Sequence, residues 1–270
     1  MTDPKPLKDK IAIVTGSSRG IGMAIAEGFA KAGASVSLAA RNKEDLSFVE
    51  THLKKFNPNV IAFQTDVSQS EDVDALVNNT LKSFGSIDIM VNNAGVYKEL
   101  ALVPFPDQTL TPPSVTRSSN KRMTDDEFRQ IVDTNIGGVF YGCRAVAPIM
   151  MDQRYGKIIN LSSIAATKTS TLQAVYASSK AAVNMLTSSL ALEWAEYGIR
   201  VNSIAPGLYE TSMTSKAWED PKRKELNLES IPLSRPGDMD GLVALAIFLA
   251  TPKSDYITGQ TINIDGGLSA

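Results

Sequence analysis

Short runs of apolar, β-branched residues alternate along this chain with longer stretches whose apolar positions recur at helical spacing. The short runs predict strands at Ile11–Thr15, Val36–Ala40, Val60–Thr65, Ile87–Asn92, Lys157–Leu161, Arg200–Ala205 and Thr261–Ile264. Helices are predicted between them at Gly22–Lys31, Lys43–Phe56, Ser70–Phe84, Thr124–Met151, Ala174–Tyr197 and Asp238–Ala250. Several strand runs are apolar nearly throughout, as strands covered on both faces must be. Strand–helix alternation then implies an α/β fold, a seven-stranded, doubly wound parallel sheet with helices on both faces. Helix punctuation agrees: Thr124-Asp125-Asp126-Glu127 reads as a capping box, and Gly33, Gly85 and Gly198 stand where helices should stop. No internal repeat or interdomain linker is apparent, so residues 1–270 are expected to form one domain.

Two segments break the alternation. Tyr97–Met123 carries Pro104, Pro106, Pro112 and Pro113 and a polar tail, Ser114–Arg122. It is too long for an ordinary strand-to-helix connection, which leaves function, an oligomer contact or disorder; disorder or decoration is the preferred reading. Leu208–Pro232 mixes Tyr209, Met213 and Trp218 with many charges, and follows a strand end, where open α/β sheets bind ligands. It is expected to be a mobile substrate lid.

Composition removes several function classes. The 270 residues are 43% hydrophobic with a formal net charge of -2, which lacks the basic footprint of a nucleic-acid binder. No apolar run approaches a membrane span, and Met1–Lys10 is polar without a signal-like apolar region, so the expectation is a cytoplasmic protein with no membrane partner. The single cysteine, Cys143, permits no internal disulfide and reads as a small apolar filler on a helix. The single histidine, His52, sits in a polar helical stretch and is expected at the surface; a Ser-His-Asp triad or a histidine metal site would need more. No metal is expected.

The chemistry-bearing residues are few and ordered. Thr15-Gly16-Ser17-Ser18-Arg19-Gly20-Ile21-Gly22 lies between the first strand and the first helix. Glycines there allow a tight turn, close approach of backbone to a pyrophosphate, and a helix packed closely on the sheet. The spacing is not that of a P-loop. The second strand ends Ala39-Ala40-Arg41-Asn42, without the carboxylate that would hold the ribose 2′-hydroxyl of NAD. Arg41 and Arg19 can instead pair with a 2′-phosphate, which favours NADP over NAD. Tyr176 and Lys180 stand four apart on one helical face, thirteen residues after Ser163. Each feature alone also reads as ordinary structure: a glycine turn without ligand, a helix surface pair, a strand-to-loop serine. Their joint order and spacing point to hydride and proton transfer at a carbonyl.

These residues, with Asp66-Val67, Asn92-Asn93-Ala94-Gly95, Asn135, Ser162-Ser163, Pro206-Gly207, Thr211 and Asp265-Gly266-Gly267, give the chain a resemblance to short-chain dehydrogenases/reductases over nearly its whole length. The 3-oxoacyl-carrier-protein reductase-like and sugar or polyol dehydrogenase-like members are the nearest in kind. The resemblance implies a Rossmann fold. It implies a cofactor site built from Gly16, Ser18, Arg19, Gly20, Ile21, Gly22 and Arg41, with Asp66 and Val67 at the adenine. Asn93, Ala94 and Gly95 would stand at the adenosine ribose side, and Pro206, Gly207, Tyr209 and Thr211 at the nicotinamide end. Asn135, Ser163, Tyr176 and Lys180 match the family's catalytic tetrad. Tyr176 would be the general acid or base, its pKa lowered by Lys180, which would also hold the nicotinamide ribose. Ser163 would donate to the substrate oxygen, and Asn135 would fix a relay water. Tyr209 stands where the family more often has a small aliphatic residue, and its ring is expected to narrow the substrate entrance. The family's usual homotetramer, or a homodimer, is implied through the helices of Asn135 and Tyr176. The expected substrate is a small ketone or secondary alcohol. A non-catalytic NADP-binding regulator is the alternative, and a lyase or dehalogenase on the same fold a third reading, but the tetrad and glycine loop are intact.

Overall fold

The computed structural model describes residues 5–106 and 120–270. Its strands are β1 (Ile11–Thr15), β2 (Ser35–Ala40), β3 (Val60–Gln64), β4 (Ile89–Asn92), β5 (Gly156–Leu161), β6 (Ile199–Pro206) and β7 (Thr261–Ile264). They form one parallel sheet in the order β3-β2-β1-β4-β5-β6-β7. The helices are α1 (Gly20–Lys31), α2 (Lys43–Leu53), α3 (Ser70–Phe84), α4 (Asp125–Val132), α5 (Gly138–Gln153), α6 (Ala174–Trp194), α7 (Ser215–Glu219), α8 (Pro221–Ser230) and α9 (Met239–Ala250).

Strand β1 shows why the runs are apolar without alternation. All five of its residues are buried. Ala12 and Val14 join one core with Ile25 and Phe29 of α1 and Leu242 and Leu249 of α9. Ile13 joins the other, with Leu76 of α3, Val146 of α5 and Val183 of α6. A strand sandwiched between two helical layers gains from an apolar residue at every position. The strand order reverses between β1 and β4, so a crevice opens beyond their carboxyl ends, the usual ligand position in an open parallel sheet.

The stop signals hold: Gly33, Gly85 and Gly198 all have φ between 78° and 98°, a left-handed conformation that glycine adopts without steric cost. The capping box also forms, with Glu127 N–H donating to Thr124 Oγ1 (3.2 Å) and Thr124 N–H to Glu127 Oε2 (2.9 Å).

Two expectations about elements change. The helix predicted over Thr124–Met151 is interrupted by a π-helical turn, Asp133–Gly137, between α4 and α5. The lid segment Leu208–Pro232 contains two short helices, α7 and α8, the second capped by Asp220 through Lys222 and Arg223 N–H groups (3.0 and 3.1 Å). In Tyr97–Met123, the expectation of disorder or decoration falls largely on 107–119, outside the described residues. The ends on either side are clasped. Ala101 bridges Arg122, and the Asn120 amide bonds both Phe105 N–H (2.7 Å) and Phe105 C=O (3.1 Å).

Candidate active site

The turn after β1 is held from below by side chains. Thr15 Oγ1 accepts the N–H groups of Asn93 (3.0 Å) and Ala94 (3.1 Å), and Asn93 Nδ2 donates to the carbonyls of Thr15 (2.8 Å) and Gly16 (3.1 Å). This ties the ends of β1 and β4 together across the switch point. A Cβ at Gly22 would lie 2.2 Å from Asn93 Nδ2 and 2.3 Å from the Gly16 carbonyl oxygen, so only glycine lets α1 start this close to the turn. Gly16 has φ +64° and faces the Ala94 backbone at 2.8 Å in the same sense. Helix α1 begins at Gly20, after Arg19 at the N-cap position, with no side-chain cap and no acidic residue in its first turn. Its free N–H groups and positive dipole end suit an anion.

Above this turn runs a groove of about 640 Å³. Sixteen of the expected site residues line it: Gly16, Ser18, Arg19, Gly20, Ile21, Gly22, Arg41, Asp66, Val67, Asn93, Ala94, Gly95, Tyr176, Lys180, Pro206 and Thr211. Arg19 and Arg41 lie toward one end of it, with Asn42. Among the described residues neither guanidinium has an ion-pair partner. Tyr176 and Lys180 lie toward the other end.

Tyr209 is a correction. It was expected on the groove, but its ring is 3% exposed and packed against Gly237, with its hydroxyl on the Ile264 carbonyl (3.5 Å). A Cβ at Gly237 would fall 2.3 Å from the Tyr209 ring, so the missing side chain there is what makes room for it. Its phenol therefore does not line the groove. Gly207 also stands off the groove, against Asp265 at the end of β7.

Of the four polar residues matched to the tetrad, Tyr176 and Lys180 line the groove, whereas Ser163 and Asn135 stand behind its wall. Strand β5 runs out at Leu161, delivering Ser163, and α6 returns beside it with Tyr176 and Lys180 one turn apart. Ser163 stands near enough to the Tyr176 hydroxyl to draw its pKa down, while Ser163 Oγ accepts the Ala165 N–H (3.1 Å). Lys180 Nζ donates to the Leu161 carbonyl (2.7 Å), and Ser162 Oγ to the Lys180 carbonyl (3.1 Å), which stitches α6 to the strand end. Asn135 is fully buried in the π-helical turn. Its Oδ1 accepts Val96 N–H (2.8 Å), and its Nδ2 donates to the Val96 carbonyl (3.0 Å) and to Ser179 Oγ (3.0 Å). π turns commonly place one side chain inward at functional sites. Here the turn aims an amide at the chain leaving β4.

Burial sets the titration of the pair. The Lys180 ammonium, 5% exposed, has its pKa pushed down to about 8 by loss of water. Removal of the Tyr176 hydroxyl from water pushes its pKa up, and Ser163 pulls the other way. The expected lowering of the Tyr176 pKa by Lys180 is not the governing effect in this arrangement. The ammonium is turned to Leu161 and lies 5.9 Å from the Tyr176 ring centroid.

Several contributors carried no role in the sequence reading. Ser179 bridges Asn135 to the Tyr176 carbonyl, to which its hydroxyl donates (2.6 Å). Its place directly before Lys180 was the available signal. Thr15, at the head of the glycine turn, is the hydroxyl joining β1 to β4. Gln130 and Thr134, on and just after α4, and Lys98 also line the groove. Among the described residues no group of three or more His, Cys, Asp or Glu could hold a metal ion, and no helix is long and apolar enough to cross a membrane.

A family model described as Enoyl-(Acyl carrier protein) reductase matches residues 16–269. The chain is 37% identical over 265 residues to 3beta-hydroxysteroid dehydrogenase 1 of Eggerthella lenta, covering 97% of this chain and 95% of that protein. It is 37% identical over 261 residues to the 3-oxoacyl-[acyl-carrier-protein] reductase FabG of Staphylococcus epidermidis, covering 96% and 99%. Among solved structures, a gluconate 5-dehydrogenase from Burkholderia cenocepacia in complex with NADP and tartrate superposes with a TM-score of 0.86 at 33% identity, over 99% of this chain and 98% of that one. The crevice at the strand switch point, the braced glycine turn and the Ser163–Tyr176–Lys180 group are thus features of a chain that belongs to the short-chain dehydrogenase/reductase family of NAD(P)-dependent oxidoreductases.

Proposed function

We propose that the protein reduces a ketone to a secondary alcohol, or reverses that reaction, with NADP as its preferred cofactor and Tyr176 as the group that moves the proton. The observation that carries this reading is the half-buried Tyr176, beside Ser163 and one turn from Lys180, lining the same groove as the uncapped start of α1.

The groove's own features support NADP. The α1 N-terminus and the close-packed glycine turn suit a pyrophosphate. Arg19 and Arg41, without ion-pair partners among the described residues, suit a 2′-phosphate. Asp66 and Val67 would stand at the adenine, and Pro206 and Thr211 at the nicotinamide end. When bound, the cofactor would supply the hydride as NADPH in reduction and accept it as NADP+ in oxidation. Ser163 donates a hydrogen bond to the substrate oxygen as charge grows on it. Tyr176 gives that oxygen its proton in reduction and takes it back in oxidation. Lys180 holds the ribose and places positive charge near the phenol. Asn135 holds Val96, and through it the groove wall facing the substrate. The segment 208–232, with α7 and α8, acts as the substrate lid. Self-association through α5 and α6, as a homotetramer or homodimer, is supported by apolar side chains these helices turn outward: Phe140, Met185 and Leu192.

Two tests follow from the charges. Arg41→Asp should lower kcat/KM for NADPH relative to NADH by roughly 10- to 100-fold, the worth of one charge-assisted bond of about 1.5–3 kcal/mol. Unchanged cofactor preference would remove Arg41 from the 2′-phosphate site. The raised Tyr176 pKa keeps the phenol protonated at neutral pH, the form that reduction needs. So kcat/KM for reduction should hold through neutral pH and fall in alkali, while kcat/KM for alcohol oxidation should rise. An oxidation rate greatest in acid would contradict this assignment of the proton.

A further inference from the structure

Beside Tyr176 lies a chain of polar contacts that the reaction as described does not use. Tyr97 packs its ring against that of Tyr176, with centroids 4.8 Å apart and planes at 84°, the edge-to-face arrangement aromatic pairs prefer. The Tyr97 hydroxyl donates to Glu99 Oε1 (2.6 Å) and accepts from Gln173 Nε2 (2.9 Å). Gln173 stands directly before α6, three residues ahead of Tyr176. Glu99 in turn holds Arg223, whose Nη2 reaches both carboxylate oxygens (3.0 and 2.9 Å). Arg223 sits in the first turn of α8, the lid helix, and its N–H is capped by Asp220. A backbone bond from Leu100 N–H to the Leu172 carbonyl (3.2 Å) runs alongside.

Each link has a physical consequence. Tyr97 lines the groove next to Tyr176, so its ring limits how far the Tyr176 ring can swing. Its hydroxyl is fastened on both sides, so the ring has one orientation. Glu99 is 27% exposed and Arg223 34% exposed at the side chain. Two partly shielded, oppositely charged groups with two N–H···O contacts form a stronger tie than a surface pair. With α8 lifted, Glu99 would lose its cation, and the carboxylate that fastens one side of the Tyr97 hydroxyl would lose its anchor.

We infer that Tyr97 is a positioning residue for Tyr176 and that the Arg223–Glu99 pair couples it to the lid, so that seating α8 and aligning the proton-donating phenol are one event. This rests on the reading of Tyr176 given above, but the mechanical link is testable apart from turnover. Hydrogen exchange of the cofactor-free protein should run ~10-fold faster in Arg223→Gln and Glu99→Gln than in the wild type, both in α8 and in the first turn of α6, since both segments lose a shared anchor. Faster exchange in α8 alone would overturn the coupling.

Steady-state kinetics with NADPH and any carbonyl that turns over form the second arm. Tyr97→Ala should lose roughly 10- to 100-fold in kcat with the KM for NADPH unchanged, the expected cost of a slightly misplaced catalytic group. Tyr97→Phe, which restores the ring without the hydroxyl link to Glu99, should recover only part of kcat, to about the level of Arg223→Gln. Combined with Arg223→Gln, it should be no worse than the poorer single variant, because the two changes break the same chain. Wild-type kcat in Tyr97→Ala, or losses that multiply in the double variant, would overturn the inference. Tyr176→Phe in the same assay separates the two failures. If Tyr176→Phe is inactive while Tyr97→Ala is normal, only the positioning role falls; if Tyr176→Phe is active, the reading of the site falls.

Discussion

Tyr176→Phe should lose about 10²- to 10⁴-fold in kcat for carbonyl reduction, the usual contribution of a positioned general acid. Nothing else in the site should change as much. The ring remains, so its edge-to-face contact with Tyr97 remains. The start of α6 is still held by Ser179, which bonds the residue 176 carbonyl rather than its side chain. What disappears is the hydroxyl and its interaction with Ser163, a change of no more than roughly 1 kcal/mol in stability by the common worth of one hydrogen bond. NADPH affinity, followed by fluorescence titration, should stay within a few-fold of wild type. The combination of intact binding and absent turnover is the signature of a lost proton donor. Near-normal turnover in the variant would take Tyr176 out of the mechanism.

A single methyl group at Gly22 should be as damaging by a different route. The added Cβ of Gly22→Ala would sit 2.3 Å from the Gly16 carbonyl oxygen and 2.2 Å from Asn93 Nδ2. The first is backbone and cannot turn aside. The second belongs to the side chain that braces Thr15 and Gly16, so moving it releases the turn. Either adjustment shifts the start of α1, the anion-binding end. Overpacking of this kind costs about 1–3 kcal/mol, which corresponds to several degrees in Tm for a chain of this size. The cofactor dissociation constant should rise ~100-fold, because the pyrophosphate cradle is built from that backbone. A thermal melt read beside an NADPH titration checks both. Wild-type affinity in Gly22→Ala would mean that the turn does not hold the cofactor.

Much of this architecture could be read from the residues in order, and what could not has identifiable causes. The central strands were legible because they are buried on both faces, which leaves an unbroken apolar run such as Ile11–Thr15. Gly33, Gly85 and Gly198 marked helix ends because a left-handed residue is needed there. Residues brought together by a strand end and the helix returning beside it, Ser163 with Tyr176 and Lys180, could be grouped from spacing alone. The π turn at Asp133–Gly137 could not, because widening one helical turn leaves no mark on composition. That turn is what points Asn135 at Val96. The helices α7 and α8 were missed because they are short and polar, with too little apolar periodicity to register. Tyr209 went astray for a third reason. Its direction is decided by the space over Gly237, a residue distant in sequence, while its neighbours Pro206, Gly207 and Thr211 suggested a groove position. The Tyr176 pKa was read from one neighbouring charge, whereas loss of water around the hydroxyl outweighs it here.

The central claim is that this groove carries out NADPH-dependent reduction of a carbonyl. The most direct test is NADPH oxidation by the purified protein across a panel running from 3-oxoacyl thioesters through keto-sugars and cyclic diketones to steroids. Turnover with at least one member, faster with NADPH than with NADH, is the predicted result. Tight NADPH binding with no turnover on any member would contradict it and would point to a cofactor-binding regulator instead.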